Sequence, residues 1–92
     1  MRFLPHEHAA FTAALIATGA DPAQVLFVKR RGRLHVQLPG RADAFVFFRE
    51  RSTKLDEQGR WQERVDYYTG SGKKEPCDWQ RVVMEFEAWL KG

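Results

Sequence analysis

Ninety-two residues with 43% hydrophobic and 29% charged side chains suffice for one hydrophobic core and lie outside the compositions of disordered chains. A single domain over residues 1–92 is expected. No apolar run approaches the roughly 20 residues that a membrane helix needs, and MRFLPHEH lacks an apolar segment with a small-residue cleavage site, so neither a membrane span nor a secretory signal is expected. The only cysteine, Cys77, excludes an intramolecular disulfide and fits a reducing, cytoplasmic setting.

The formal charge of +3 is unevenly spread. Residues 29–54 hold Lys29, Arg30, Arg31, Arg33, Arg41, Arg49, Arg51 and Lys54 against Asp43 and Glu50, a surplus of six that leaves the remainder at −3. Such a block attracts acidic partners or a phosphate backbone. Arginines around a hairpin turn and at strand ends also protect sheet edges, which is the plainer account of them.

In chain order, Pro5 followed by His6 to Thr18 reads as a first helix, stopped by Gly19 and Ala20-Asp21-Pro22. Leu4, Phe11, Ala14, Leu15 and Thr18 share its main stripe, with His8 at the margin. Gln24 to Arg30 and Arg33 to Leu38 form two short strands around Arg31-Gly32, the strongest hairpin signal in the chain. Leu34, Val36 and Leu38 alternate with Arg33, His35 and Gln37, so one face is buried and the other wet. Pro39-Gly40 turns the chain into a third strand, Ala44 to Arg51. A polar loop through Leu55 and Gly59 leads to a fourth, Arg60 to Tyr68, in which Trp61, Val65 and Tyr67 alternate with polar residues. Thr69 to Lys74 reads as a mobile loop. The last helix begins after Asp78, an N-cap, and runs to Lys91. Its stripe of Trp79, Val82, Val83, Phe86, Trp89 and Leu90 is the clearest periodicity present.

These elements predict an α+β fold: a four-stranded antiparallel meander flanked by an N-terminal and a C-terminal helix. Two helices on one side of the sheet leave the other side open. The run Phe45-Val46-Phe47-Phe48 in the third strand then sends one alternate pair into the core and strands the other on the open face. Phe45, Phe47, Phe48, His35 and Gln37 are therefore the candidate partner-binding residues.

Motifs for chemistry are weak. RADAFVFF, residues 41–48, matches the RNA-recognition signature K/R-G-F/Y-G/A-F-V-x-F/Y at Arg41, Ala44, Phe45, Val46 and Phe48. Asp43, however, occupies a base-stacking position, and the order of elements differs from βαββαβ. TGSGKK, residues 69–74, lacks the first glycine and the final serine or threonine of a phosphate-binding loop. His6 and His8 diverge by about 200° on a helix and cannot share a metal unless that segment is extended. No serine, cysteine or lysine has the context of an activated nucleophile. Catalytic residues, metal sites and cofactors are all expected to be absent, and the chain reads as a non-enzyme.

From the third strand onward, FVFFRERSTKL, RWQERVDYYTGSG and DWQRVVMEFEAWLKG resemble small bacterial adaptor-type domains associated with conflict and signalling proteins. That arrangement has an aromatic strand, a longer strand ending in a tyrosine and a glycine-containing turn. A helix of the form W-x-x-V-x-x-x-F-x-x-W-L follows. The residues that carry it are Phe45 to Phe48, Val65, Tyr67, Gly70, Trp79, Val82, Phe86, Trp89 and Leu90. The resemblance implies an adaptor rather than a catalyst and transfers no catalytic residue. The expected function is a protein-interaction module, homodimeric through the open sheet face or bound to another protein. The alternative is a nucleic-acid-binding domain using Lys29, Arg30, Arg31, Arg33, Arg49 and Arg51.

Overall fold

The computed structural model describes residues 2–70 and 75–92. The elements run α1 (Pro5–Ala17), β1 (Leu26–Arg30), β2 (Arg33–Gln37), β3 (Phe45–Leu55), β4 (Trp61–Thr69) and α2 (Trp79–Lys91), with a 3-10 turn over Pro22–Gln24 ahead of β1. All neighbouring strands are antiparallel and the sheet order is β1-β2-β3-β4. This is the α+β meander with a helix at each end that the sequence predicts.

Local chemistry sets the ends of the elements. Pro5 begins α1, where its missing N–H costs nothing. Leu4, at the N-cap, has no side-chain acceptor to offer. Glu7 compensates by accepting the Leu4 N–H at 2.8 Å, the reciprocal half of a capping box. Arg31 (φ 52°) and Gly32 (φ 74°) are both left-handed, the geometry that a two-residue hairpin turn matched to strand twist requires. At α2, the Asp78 carboxylate accepts the Arg81 N–H at 2.9 Å, satisfying one of the free donors of the first turn.

Strand register decides which residues meet the helices. Leu34 lies opposite Phe47 and Val36 opposite Phe45, and Arg49 lies opposite Tyr67. These side chains face α1 and α2, and all but Arg49 form one core with Phe11, Leu15, Val25, Val82 and Phe86. Its rings meet edge to face, Phe11 standing 4.6 Å from Phe86 and 5.3 Å from Phe47, which adds about 0.5–1.5 kcal/mol per pair to the burial term.

Two boundaries differ from the sequence reading by more than one residue. The 3-10 turn takes the place of the expected start of β1 at Gln24, because the Asp21 carboxylate accepts the Ala23 N–H and tightens the chain there. The third strand continues past Arg51 to Leu55. β2 pairs with β3 only over Leu34–Val36, whereas β4 follows β3 as far as the Leu55–Trp61 pair. Beyond Phe48 the β3–β4 ribbon therefore projects as a two-stranded arm, and the molecule measures 50 × 26 × 21 Å.

Candidate functional site

The open face of the sheet is the first candidate. Parity places Val46 and Phe48 on it, while Phe45 and Phe47 point into the core and are covered there. An exposed pair of rings is therefore not present. Phe48 itself is only 3% exposed. It stacks on Tyr68, with ring centroids 4.8 Å apart, and the Arg33 guanidinium lies 3.9 Å above its centroid. Arg33 Nε is buried with no hydrogen-bond partner among the described residues, and the guanidinium gains a cation–π contact with Phe48 instead at that position. His35 and Gln37 are half-buried on the same face.

Arg30, Arg31, Arg33, His35 and Val46 surround a concavity of about 530 Å³. Partial burial, and secondarily the positive charge of Arg30, hold the His35 imidazole below its ordinary value. Among the described residues no carboxylate lies within ion-pair distance of Lys29, Arg30, Arg31 or Arg33. These four gather at the β1–β2 hairpin end.

The other two arginines of the proposed nucleic-acid set do not join them. Arg49 is 9% exposed and faces the helices. Its Nη1 donates to both oxygens of Glu7, at 2.8 and 3.0 Å, and its Nη2 donates to the Arg2 carbonyl. Glu7 is wholly buried and also accepts the Tyr67 hydroxyl at 2.7 Å. His6 Nε2 lies 3.2 Å from the same hydroxyl. Burial, then the hydrogen bond and negative charge of Glu7, push the Tyr67 phenol well above its ordinary value. This cluster pins the start of α1 to β3 and β4, so Arg49 is structural and unavailable to a phosphate. Arg51 lies 3.8 Å from Glu63, both side chains being exposed, a pair of small energetic value.

The stretch that resembles an RNA-recognition signature also has a structural role. Asp43 accepts the Trp89 indole N–H at 2.7 Å and the Arg41 guanidinium at 3.1 Å. Arg41 in turn stacks 3.9 Å from the Trp89 ring and donates to the Trp89 carbonyl. The arginine hydrogen bond, then that of Trp89, lower the Asp43 carboxyl from its ordinary value. The segment before β3 thus clasps the end of α2.

The histidines are dispersed. His6 abuts Trp79, His8 lies against Phe27, and among the described residues no three His, Cys, Asp or Glu side chains converge on a metal-sized space. The Cys77 thiol is pushed up by burial and then by Glu85 and Asp78, the opposite of an activated nucleophile. Ser71 to Lys74, the heart of the TGSGKK loop, lie outside the described residues.

The β3–β4 arm is the candidate that sequence reasoning missed. Its tip is ordered by Asp56, whose carboxylate accepts the Arg60 N–H at 2.8 Å, the Gln58 N–H at 2.9 Å and the Gln62 amide at 3.1 Å. On its helix-side face Leu55 is 57% and Trp61 69% exposed, directly opposite one another, with Val65 also exposed. Four basic residues (Arg51, Lys54, Arg60, Arg64) stand among five acidic ones (Glu50, Asp56, Glu57, Glu63, Asp66), so the arm carries no phosphate-seeking charge. The alternation of Trp61, Val65 and Tyr67 was the available signal. It reads as burial unless the length of β2 is known.

No protein-family model matches the chain, and neither a curated protein nor a solved structure matches it. No helix among the described residues is long and apolar enough to cross a membrane.

Proposed function

We propose that this domain is a protein-interaction module, with the β3–β4 arm rather than the open sheet face as its contact element. The observation that carries this reading is the exposed Leu55–Trp61 pair on a two-stranded ribbon. A lone ribbon is marginal in water, and a tryptophan left in solvent at its tip gains its burial energy only against another surface. Adaptor-type behaviour, implied by the resemblance of the C-terminal half, fits a domain whose buried ionisable pair, Glu7 and Arg49, is committed to packing. The test is photo-crosslinking in cells from a benzoylphenylalanine replacing Trp61. Discrete protein adducts that disappear when Leu55→Ser is added support the reading. Absence of any protein adduct overturns it.

A second reading rests on a separate observation. Lys29, Arg30, Arg31 and Arg33 gather at one hairpin end without a carboxylate partner among the described residues, and the three arginines line a concavity on the sheet. This favours an anionic ligand, with single-stranded nucleic acid as the polymer to test. Phosphate contacts from four cations give binding that weakens steeply with salt. No gel shift at micromolar protein and low salt ends this alternative.

A further inference from the structure

Among the described residues, the β4 edge of the arm beyond Tyr67, towards the tip, is unpaired, and it has a definite hydrogen-bonding phase. Tyr67 donates its N–H to the Cys77 carbonyl at 2.9 Å and accepts the Cys77 N–H at 2.8 Å, so the backbone of Tyr67 points away from β3. Backbone groups in an antiparallel ladder alternate in direction, and the β3–β4 register runs unbroken from Phe47–Thr69 to Leu55–Trp61. The N–H and C=O groups of Trp61, Glu63 and Val65 therefore point outward as well. Unlike those of Tyr67, they lie on the projecting part of the edge.

We infer that the partner of this edge is a second copy of the chain, joined by antiparallel pairing of the two β4 strands about a two-fold axis at Glu63. The inference rests on the arm being the contact element proposed above. The register follows from what each alternative places together. Centred on Glu63, the pairing sets Trp61 against the partner's Val65 and Val65 against the partner's Trp61. All three outward residues of each copy then meet outward residues of the other, giving six backbone hydrogen bonds.

The same register sets Arg60 against the partner's Asp66 on both sides of the axis. Each Asp66 adjoins a recess of about 260 Å³ that Asp78 and Arg64 also line, and it already accepts the Arg64 guanidinium at 2.9 Å, so an incoming Arg60 would share that carboxylate with Arg64. The central Glu63 pair is the unfavourable contact, and each Glu63 already has Arg51 3.8 Å away.

Shifting the axis to Gln62 leaves four backbone bonds and opposes Arg60 to the partner's Arg64. Shifting it to Arg64 opposes Arg64 to itself and calls on the Tyr67 groups that Cys77 already occupies. Both alternatives lose hydrogen bonds and gain repulsion. The Glu63-centred dimer continues two marginal ribbons as one four-stranded sheet, with Leu55, Trp61 and the partner's Val65 in a row on one face.

Sedimentation equilibrium of the full chain from 5 µM to about 1 mM (orders of magnitude spanning weak to moderate affinity) is expected to show a monomer–dimer equilibrium. Cα atoms of a hydrogen-bonded antiparallel pair lie about 5.5 Å apart, within disulfide reach. In a Cys77→Ser background, Glu63→Cys is expected to form a disulfide-linked dimer on mild oxidation with diamide, while Val65→Cys, four residues out of register with itself, does not. Glu63→Pro removes an outward N–H without touching the β3–β4 ladder and is expected to weaken dimerisation at least tenfold with the circular dichroism spectrum intact. Should that variant fail to fold, the cysteine comparison decides alone.

A wild type monomeric throughout the range overturns the inference, as does equal crosslinking of Val65→Cys and Glu63→Cys. A monomer whose position-61 probe still labels another protein removes the dimer but leaves the interaction module standing.

Discussion

Arg49→Met tests the buried cluster most directly. The substitution keeps an unbranched apolar stem of comparable reach and removes the guanidinium from a carboxylate with no solvent exposure. Glu7 would retain two neutral donors, the Tyr67 hydroxyl and the Leu4 N–H, and lose both charge-assisted contacts from Arg49. Removing one partner of a buried ion pair costs about 3–5 kcal/mol, because the surviving charge stays desolvated. A domain of this size has roughly 5–14 kcal/mol in total, so the loss is a large fraction. Near Tm each kcal/mol lowers the midpoint by about 4–8 °C, which predicts a fall of at least ~12 °C. Urea titration followed by circular dichroism gives the free energy, provided the m-value is unchanged. The double variant Glu7→Leu/Arg49→Met, which removes both charges, should recover part of the loss. An Arg49→Met protein within 1 kcal/mol of wild type would show that the pair is not the anchor described here.

Further outcomes follow from other contacts. Tyr67→Phe deletes the phenol donor to Glu7 and should cost about 1–3 kcal/mol. The raised phenol value has a definite sign: its stabilising share is complete below the ordinary tyrosine value of 10.0 and declines above it as the unfolded chain ionises first. Wild type should thus lose stability above about pH 10 more steeply than Tyr67→Phe, as measured by urea midpoints across pH 8 to 11. Gly32→Val forces a β-branched residue into φ 74° and should cost about 1–2 kcal/mol, read from thermal melts. Leu55→Ser with Trp61→Ser should change monomer stability by less than about 1 kcal/mol, since surface changes generally cost little. A larger loss at concentrations below dimerisation would mean that the tip packs within its own protomer.

Some elements are plain in the sequence because one physical constraint governs them. The α2 stripe from Trp79 to Leu90 has a period only a half-buried helix satisfies, and Arg31-Gly32 allows few turns besides a tight hairpin. The direction of the Phe45–Phe48 run could not be read, because four apolar residues in succession fit either phase; pairing with Leu34 and Val36 settles it. Glu7 lies one turn before Phe11 and two before Leu15, squarely on the buried stripe of α1. Carboxylates are so rarely buried that its position reads as solvent-facing, and its partners are distant in the chain. Ser52 to Lys54 show no alternation because both faces of the arm meet water, leaving nothing for a periodicity argument to detect. Arg33 and Arg49 look alike as entries in a basic block; one covers an aromatic ring and the other completes an internal ion pair.

Glu7 has consequences for how the chain assembles. Its charged partner lies 42 residues onward and its phenolic partner 60, so a nascent chain emerging from the ribosome carries this carboxylate hydrated until nearly the whole sheet is available. Helix α1 can form early, but it has no anhydrous place to dock before β4 arrives. Closure of that last strand dehydrates the acid and both donors together, tying the chain's opening turn to its final hairpin in one cooperative step.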